Sequence, residues 1–453
     1  MEYAPTAPAP ASFRARAPRA LVAGGWLGAA VAIAAFGAAL TLLLYRNPPS
    51  ALVVLGFAVV VVGSLWLAIV AYDTALAVAV VLLAAVRFEP APTDVVFAVL
   101  ITVGFITSRF RLRRVIPGAV LLVGAFLALN LVSAIAVADE QRAVSFFSIT
   151  FYVACFGLWL AAYVTSSAIA RRLTRCYVAA AVASAIVASL AILVAFPGHD
   201  LFTRIGRAEG LFKDPNVFGP FLVPAALIVM EEILTPRLLR GRRTTKILMF
   251  LALSLGILFS YSRAAWLNLA VGLLVVLVIV SFRRGGGKRA GRALVIVALA
   301  GVALTAAVAF SGSLSFLEQR AKVHQSYDTG RFGAQSESLT WATEYPLGVG
   351  PGQFERRAHI SAHSMYARTL AEEGIPGLIV LLTLMFATLG WALQNAIRGH
   401  DTYGIGSAAL LGAWLGILLN GAFVDTLHWR HLWFVAALIW AGASRFQTRD
   451  AAY

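Results

Sequence analysis

Apolar positions along the chain come in long runs separated by short polar breaks. The runs lie near 21–44, 51–71, 75–86, 95–107, 117–137, 145–168, 177–196, 217–233, 247–260, 265–282, 293–311, 376–397, 404–424 and 431–444. Those at 119–137 and 293–310 have no alternating polar face, which predicts helices rather than barrel strands. In hydrocarbon, only helices and closed barrels pair every backbone N–H and C=O. The pattern predicts an all-α polytopic integral membrane protein with about 12–14 transmembrane helices, fourteen being the direct count. The third, fourth, ninth and last runs fall short of the ~20 residues of a perpendicular crossing, so they are expected to be tilted, broken or paired as re-entrant hairpins.

The polar breaks carry an orientation signal. Basic clusters stand at Arg14/Arg16/Arg19, Arg109–Arg114, Arg171–Arg175, Arg237–Lys246, Arg283–Arg292 and Arg445/Arg449. If the runs alternate as spans, all six fall on one side. The positive-inside rule makes that side cytoplasmic, with both termini inside. The expected organisation is a cytoplasmic tail (1–19), a helical bundle with short loops (20–311), a large outer loop (312–363), C-terminal helices (364–444) and a second cytoplasmic tail (445–453).

Composition agrees: 60% of residues are hydrophobic and 13% charged, with a mean hydropathy of +0.83. A soluble domain is about 45–50% apolar and about 25% charged. The net charge of +16 follows topology rather than one basic domain, so nucleic acid is rejected as a partner. The first apolar run is too long for a signal-peptide core and reads as a span. Cys155 and Cys176 suggest neither a disulfide nor a metal site.

The outer side has features that orientation does not explain. Six of the seven histidines lie there or at its interface: His199, His324, His359, His363, His428 and His431. So do Arg204, Arg207, Arg263, Arg320, Arg331, Arg356, Arg357, Arg368 and Arg430. A basic outer face calls for a polyanionic ligand at that membrane surface.

Four motifs stand on this side. In the first, Arg207 and Lys213 precede Asp214-Pro215-Asn216, a capped helix start whose N-terminus itself favours anions. In the second, Ser262-Arg263 sits in a very short connection, where Arg263 either snorkels to headgroups or faces inward as a phosphate fork. The third joins Gly330-Arg331 to the turn Pro346-Leu-Gly348-Val-Gly350-Pro-Gly352. Such glycine-rich turns bring N–H groups to phosphates, although this one follows no strand and lacks a Walker lysine. The fourth predicts a short amphipathic helix from His363 to Glu373, with His363 and Tyr366 on one face, Gly374 as its cap and Pro376 opening the next span. His363 at the mouth of a membrane helix is the candidate titrating group. No metal-ligand spacing or nucleotide fingerprint occurs, so no metal or cofactor is expected and charge must be stabilised by Arg and Lys.

In this order and spacing, the motifs resemble the O-antigen ligase and polysaccharide polymerase family of bacterial envelopes. The residues concerned are Arg207 with Gly210 and Pro215-Asn216, Ser262-Arg263, Arg331, Pro346-Leu-Gly348-Val-Gly350, and His363 before Gly374-Ile-Pro-Gly377. The resemblance spans roughly residues 200–400 and implies a metal-independent, inverting glycosyltransferase with a GT-C-like helical fold. It would sit in the bacterial inner membrane and work on the periplasmic face in cell-surface polysaccharide biosynthesis. Its donor would be a glycan on undecaprenyl diphosphate, its acceptor a sugar hydroxyl of a glycan or of lipid A-core, and its surroundings membrane lipid. By the same resemblance, Arg207, Arg263 and Arg331 would hold the diphosphate and His363 would position or deprotonate the acceptor; beside them, Lys213 is expected at the diphosphate, and Asp214, Asn216 and Tyr366 are expected to support the site. Ligase and polymerase stay open. The rival reading is a transporter or flippase of lipid-linked oligosaccharide, against which stand the missing internal repeat and the one-sided placement of the motifs.

Overall fold

The computed structural model describes residues 51–135, 137–283, 286–310, 328–358 and 360–450. The expected first span at 21–44 lies outside these residues, as do His324 and His359. Among the described residues the regular structure is helical apart from four two-residue strands.

Helices α1 (Ala51–Val70), α2 (Tyr72–Leu82), α3 (Pro92–Ile106), α4 (Pro117–Ser133), α5 (Glu140–Tyr163), α6 (Ser167–Leu193), α7 (Pro215–Leu234), α8 (Arg243–Phe259), α9 (Arg263–Phe282) and α10 (Gly286–Phe310) follow the apolar runs. After the long connection come α11 (Asp328–Glu344), α12 (Phe354–Ala358), α13 (Met365–Glu372), α14 (Gly374–Arg398), α15 (Ser407–Gly421) and α16 (Arg430–Asp450). Six of these helices are long and apolar enough to cross a bilayer. Large apolar side chains such as Phe105, Leu121, Leu299 and Phe386 are exposed on the bundle's outside. On a soluble protein that surface would drive association, whereas lipid accommodates it.

Helix α7 is the axis of the bundle, with nearly all of its apolar stretch buried. It keeps Pro220 and Pro224 inside the helix. That is tolerable because neighbouring helices shield the backbone groups that a proline leaves unpaired. Helix α9 lies close against α15, where a Cβ on Gly412 would come within 2.7 Å of the Gly272 carbonyl oxygen. Small residues here let two backbones approach, the usual device of helix pairs in membranes. Helix α2 has only 11 residues, a rise of about 16 Å. The chain continues through the strand Ala85–Val86 (β1), which pairs in parallel with Leu211–Phe212 (β4). This short run is therefore completed by extended chain rather than by helix.

The ion pairs sort into two sets. In one, Asp73 meets Arg172 at 2.5 Å, Asp401 meets Arg237 at 3.1 Å, Glu232 meets Lys246 at 3.0 Å and Glu231 meets Arg283 at 3.0 Å. In the other, Arg87 meets Glu209 at 2.5 Å, Lys213 meets Glu89 at 2.8 Å, Arg142 meets Glu355 at 2.8 Å and Arg368 meets Asp425 at 2.7 Å. The first set belongs to the connections bearing the basic clusters, and the second to the connections alternating with them. Among the described residues no ion pair crosses between the sets.

Candidate functional site

The site begins at the N-terminus of α7. Asp214 is extended (φ −158°, ψ 138°), and its Oδ1 accepts from the Asn216 N–H at 2.6 Å. Pro215 occupies the first helical position, where its missing N–H costs nothing. Upstream, Thr203–Arg204 (β2) pairs antiparallel with Arg207–Ala208 (β3), so the connection is a folded ribbon rather than a slack loop. The ribbon aims Arg207 back into the protein. Its Nε donates to the Ser260 carbonyl and its Nη2 to Asn216 Oδ1, both at 2.9 Å. The first and second motifs are thus joined through Arg207.

Ser262 N-caps α9, its hydroxyl accepting from the Ala265 N–H at 3.4 Å. Arg263 is the first residue of that helix and half-buried. It does not line the cavity described below.

The glycine-rich turn is built for packing. Gly348, Gly350 and Gly352 all have positive φ. The Val349 and Gly350 N–H groups donate to the carbonyls of Ala371 and Glu372, both at 2.9 Å, and the Phe354 N–H donates to Glu372 Oε1 at 3.0 Å. These N–H groups satisfy the carbonyl end of α13 and its last carboxylate, which leaves them engaged within the protein rather than turned to a phosphate. The predicted helix His363–Glu373 is corrected. Ser364 is extended and accepts from the Ala367 N–H at 3.3 Å, so the helix starts at Met365 with Ser364 as its cap. This leaves His363 outside the helix in a left-handed conformation (φ +46°), uncommon for a residue with a Cβ and frequent at functional sites.

These pieces meet around a cavity of about 330 Å³. His363 lines it from the late loop, and Lys213, Asp214 and Asn216 from the start of α7. Arg207 stands directly behind, on Asn216. Tyr366 turns away and donates its hydroxyl to the Leu418 carbonyl at 2.8 Å; it packs α13 onto α15. Arg331 lies on α11, and its side chain is outside the described residues.

The structure adds residues that no motif singled out. Arg368 is buried, with Nε 2.7 Å from Asp425 Oδ2 and Nη1 3.1 Å from Glu372 Oε1, and it also pairs with Glu355. Burial pushes the carboxyls of Glu355 and Asp425 up, but Arg368 outweighs it and holds both below the usual carboxylate range. For Glu372 burial wins and raises the carboxyl to about 7. Across the cavity, the Arg430 guanidinium grips Asp94 through Nε and Nη2 at 2.8 and 2.6 Å, a bidentate fork. Burial raises Glu89 too, yet Lys213 and Arg430 bring it below its ordinary value. His428 Nε2 sits 2.9 Å from Thr150 Oγ1, and burial lowers its ring to about 4, which keeps it neutral. Arg368, Arg430 and His428 are among the outer residues that orientation does not explain. Their carboxylate partners Glu89, Glu355 and Asp425 had no local signal beyond the Arg368–Glu372 spacing of one helical turn.

Among the described residues no group of three His, Cys, Asp or Glu side chains is arranged to hold a metal ion. Chemically, the cavity offers a lysine paired with the carboxylate of Glu89, a capped helix N-terminus, and an imidazole on the facing wall.

Among curated proteins none matches the chain. Residues 248–382 match the family model described as O-antigen ligase. That stretch runs from α8 into α14 and holds Arg263, Arg331 and His363, whereas Arg207, Lys213, Asp214 and Asn216 precede it. Over that domain, set in an all-α bundle with six helices long and apolar enough to cross a membrane, the chain is similar to the O-antigen ligase/polymerase family.

Proposed function

We propose that the protein is a membrane glycosyltransferase that transfers or polymerises glycan from an undecaprenyl-diphosphate-linked donor onto a sugar hydroxyl. The observation that carries this reading is the meeting of His363 with Lys213, Asp214 and Asn216 around one cavity, about 150 positions apart in sequence. In this reading the donor diphosphate displaces Glu89 from Lys213 and lies toward the N-terminus of α7, where N–H groups and cations neutralise it. Arg207, through Asn216, and Arg263 and Arg331, from the same motif set, complete the cationic surround.

The acceptor oxygen attacks the anomeric carbon from the face opposite the diphosphate. The glycosidic C–O bond breaks, its electron pair leaves on the diphosphate, and the acceptor proton passes to His363. Attack from the opposite face inverts the anomeric configuration. Cations rather than a divalent ion carry the leaving charge, so the reaction is metal-independent. The membrane is the bacterial inner membrane, the residue 312–363 loop and the cavity are periplasmic, and the tails 1–19 and 445–453 are cytoplasmic.

The test is reconstitution. Purified protein, a lipid-linked donor and an acceptor glycan or lipid A-core should give product with inverted linkage, undiminished by excess EDTA. Movement of the donor across a bilayer without any transfer product would instead make the protein a flippase. Activity lost to EDTA and restored by Mg²⁺ or Mn²⁺ would overturn the metal-independent mechanism.

A further inference from the structure

The opposite end of the bundle has a second cavity, about 460 Å³, lined by Arg171, Arg237 and Arg445 with Asp401, Tyr403 and Phe446. Four separated parts of the chain converge on it: the start of α6, the connection after α7, the connection before α15 and the end of α16. Its walls are built rather than accidental. Arg175 donates through Nε and Nη2 to the Leu238 carbonyl at 3.2 and 3.1 Å, tying α6 to the connection after α7. Tyr403 is left-handed (φ +51°), and a Cβ on the next residue, Gly404, would come within 2.8 Å of Leu238. The Arg445 guanidinium lies 4.6 Å from the Tyr403 ring centre and donates to the Asp401 carbonyl at 3.4 Å. Phe446 stacks on His400 at 3.6 Å.

The charges do not balance. Three guanidinium groups line the cavity against one carboxylate, Asp401. Arg237 spends Nε on Asp401 at 3.1 Å and Nη1 on Glu231 at 3.2 Å, and its Nη2 makes no hydrogen bond among the described residues. Arg171 is half-buried and has no ion pair among the described residues. A partly desolvated cation without a counter-ion is costly, and guanidinium N–H pairs match the oxygens of a phosphate. This is also the end where the basic clusters collect. Positive residues mark the cytoplasmic side, whose leaflet carries anionic lipid, and basic pockets between helices at that surface take phospholipid headgroups.

We propose that this cavity binds a phosphate group, supplied by the headgroup of an anionic phospholipid such as cardiolipin or phosphatidylglycerol, with Arg171 as its principal counter-ion. The site is remote from the catalytic cavity and does not depend on the reaction assigned there.

The experiment measures the unfolding temperature and the co-isolated lipid of the full chain in phosphatidylcholine nanodiscs, alone, with cardiolipin, or with inorganic phosphate at the same phosphate concentration. Ligand that binds only the folded state raises the unfolding temperature. The wild type should gain several degrees with cardiolipin, and native mass spectrometry should find the lipid retained. Arg171→Gln and Arg171→Glu should unfold at the wild-type temperature in phosphatidylcholine but lose the cardiolipin gain and the retained lipid, with Arg171→Lys keeping part of both. An equal gain from inorganic phosphate would assign the cavity to a soluble phosphate and overturn the lipid source. A wild type unmoved by either, or an Arg171→Gln protein retaining lipid as the wild type does, would overturn the site. If a variant destabilises the fold, lipid retention measured by mass spectrometry still decides the matter.

Discussion

Arg207 donates from Nε to the main-chain carbonyl of Ser260, 2.9 Å away, while its Nη2 holds Asn216 Oδ1 at the same distance. One guanidinium therefore sets the position of the α7 N-terminus relative to the Ser262-Arg263 turn. Arg207→Ala and Asn216→Ala should each weaken binding of the lipid-linked donor. Because the two side chains touch, their effects should be coupled by roughly 0.5–3 kcal/mol in a double-mutant cycle. Additive losses would show that the two act separately and that the bridge does not matter for donor binding.

Arg368 touches three carboxylates, those of Glu355, Glu372 and Asp425. Replacing it with Met should leave buried negative charge uncompensated and cost on the order of 3–5 kcal/mol of stability. Arg368→Lys should recover only part, since an ammonium cannot serve three carboxylates in one plane. Chemical unfolding in detergent checks this. Wild-type stability in Arg368→Met, with donor binding lost, would instead make Arg368 a ligand for substrate.

Stability should fall on mild acidification because of His428. Burial lowers its ring from the ordinary 6.5 to about 4, with Asp425 pulling upward and Arg368 downward. A depressed folded value means that the unfolded chain binds the proton first. The contribution is fully present above pH 6.5 and is lost as pH falls toward 4. Over that window the wild type should lose on the order of 1–3 kcal/mol more than His428→Asn. Parallel pH profiles for the two proteins would contradict the neutral, buried assignment.

Two glycines in the same region should behave oppositely. Gly348 has φ +86°, and a Cβ there would collide with the Glu372 carbonyl and the Gly374 N–H, so Gly348→Ala should unseat α13 and with it His363. Gly333 lies in α11 with nothing near its Cβ position. Gly333→Ala should stabilise that helix by about 0.5–1 kcal/mol. Limited proteolysis of the 328–372 region would read both; equal sensitivity in the two variants would mean that the turn does not anchor α13.

How far the sequence carried the reading depended on whether a feature was local. The Asp214-Pro215-Asn216 cap was legible because capping is settled within three residues. The spans were legible because lipid imposes a length and a composition. The partners of Arg368 were not, since Glu355 lies 13 residues before it and Asp425 beyond the next two helices, at distances fixed only when α13 and the α15–α16 connection pack. The start of α13 was misjudged by two residues because Ser364 caps more strongly than helical periodicity at His363 extends the helix. The role of the glycine turn was open in the sequence because only the tertiary structure shows its N–H groups spent on Ala371 and Glu372.

On the proposed mechanism the cavity divides its labour: cations and the α7 N-terminus hold the donor diphosphate, and His363 takes the acceptor proton. Donor affinity and transfer rate, measured on the same purified His363→Ala protein, test it most directly. His363 precedes α14 rather than lying within it, so the variant should insert and fold as the wild type does. Donor affinity should stay near wild type and turnover should fall by about 10²–10⁴-fold, the usual contribution of a positioned acid or base. Transfer at the wild-type rate would contradict this division of labour, as would a loss of donor affinity that by itself explains the loss of turnover.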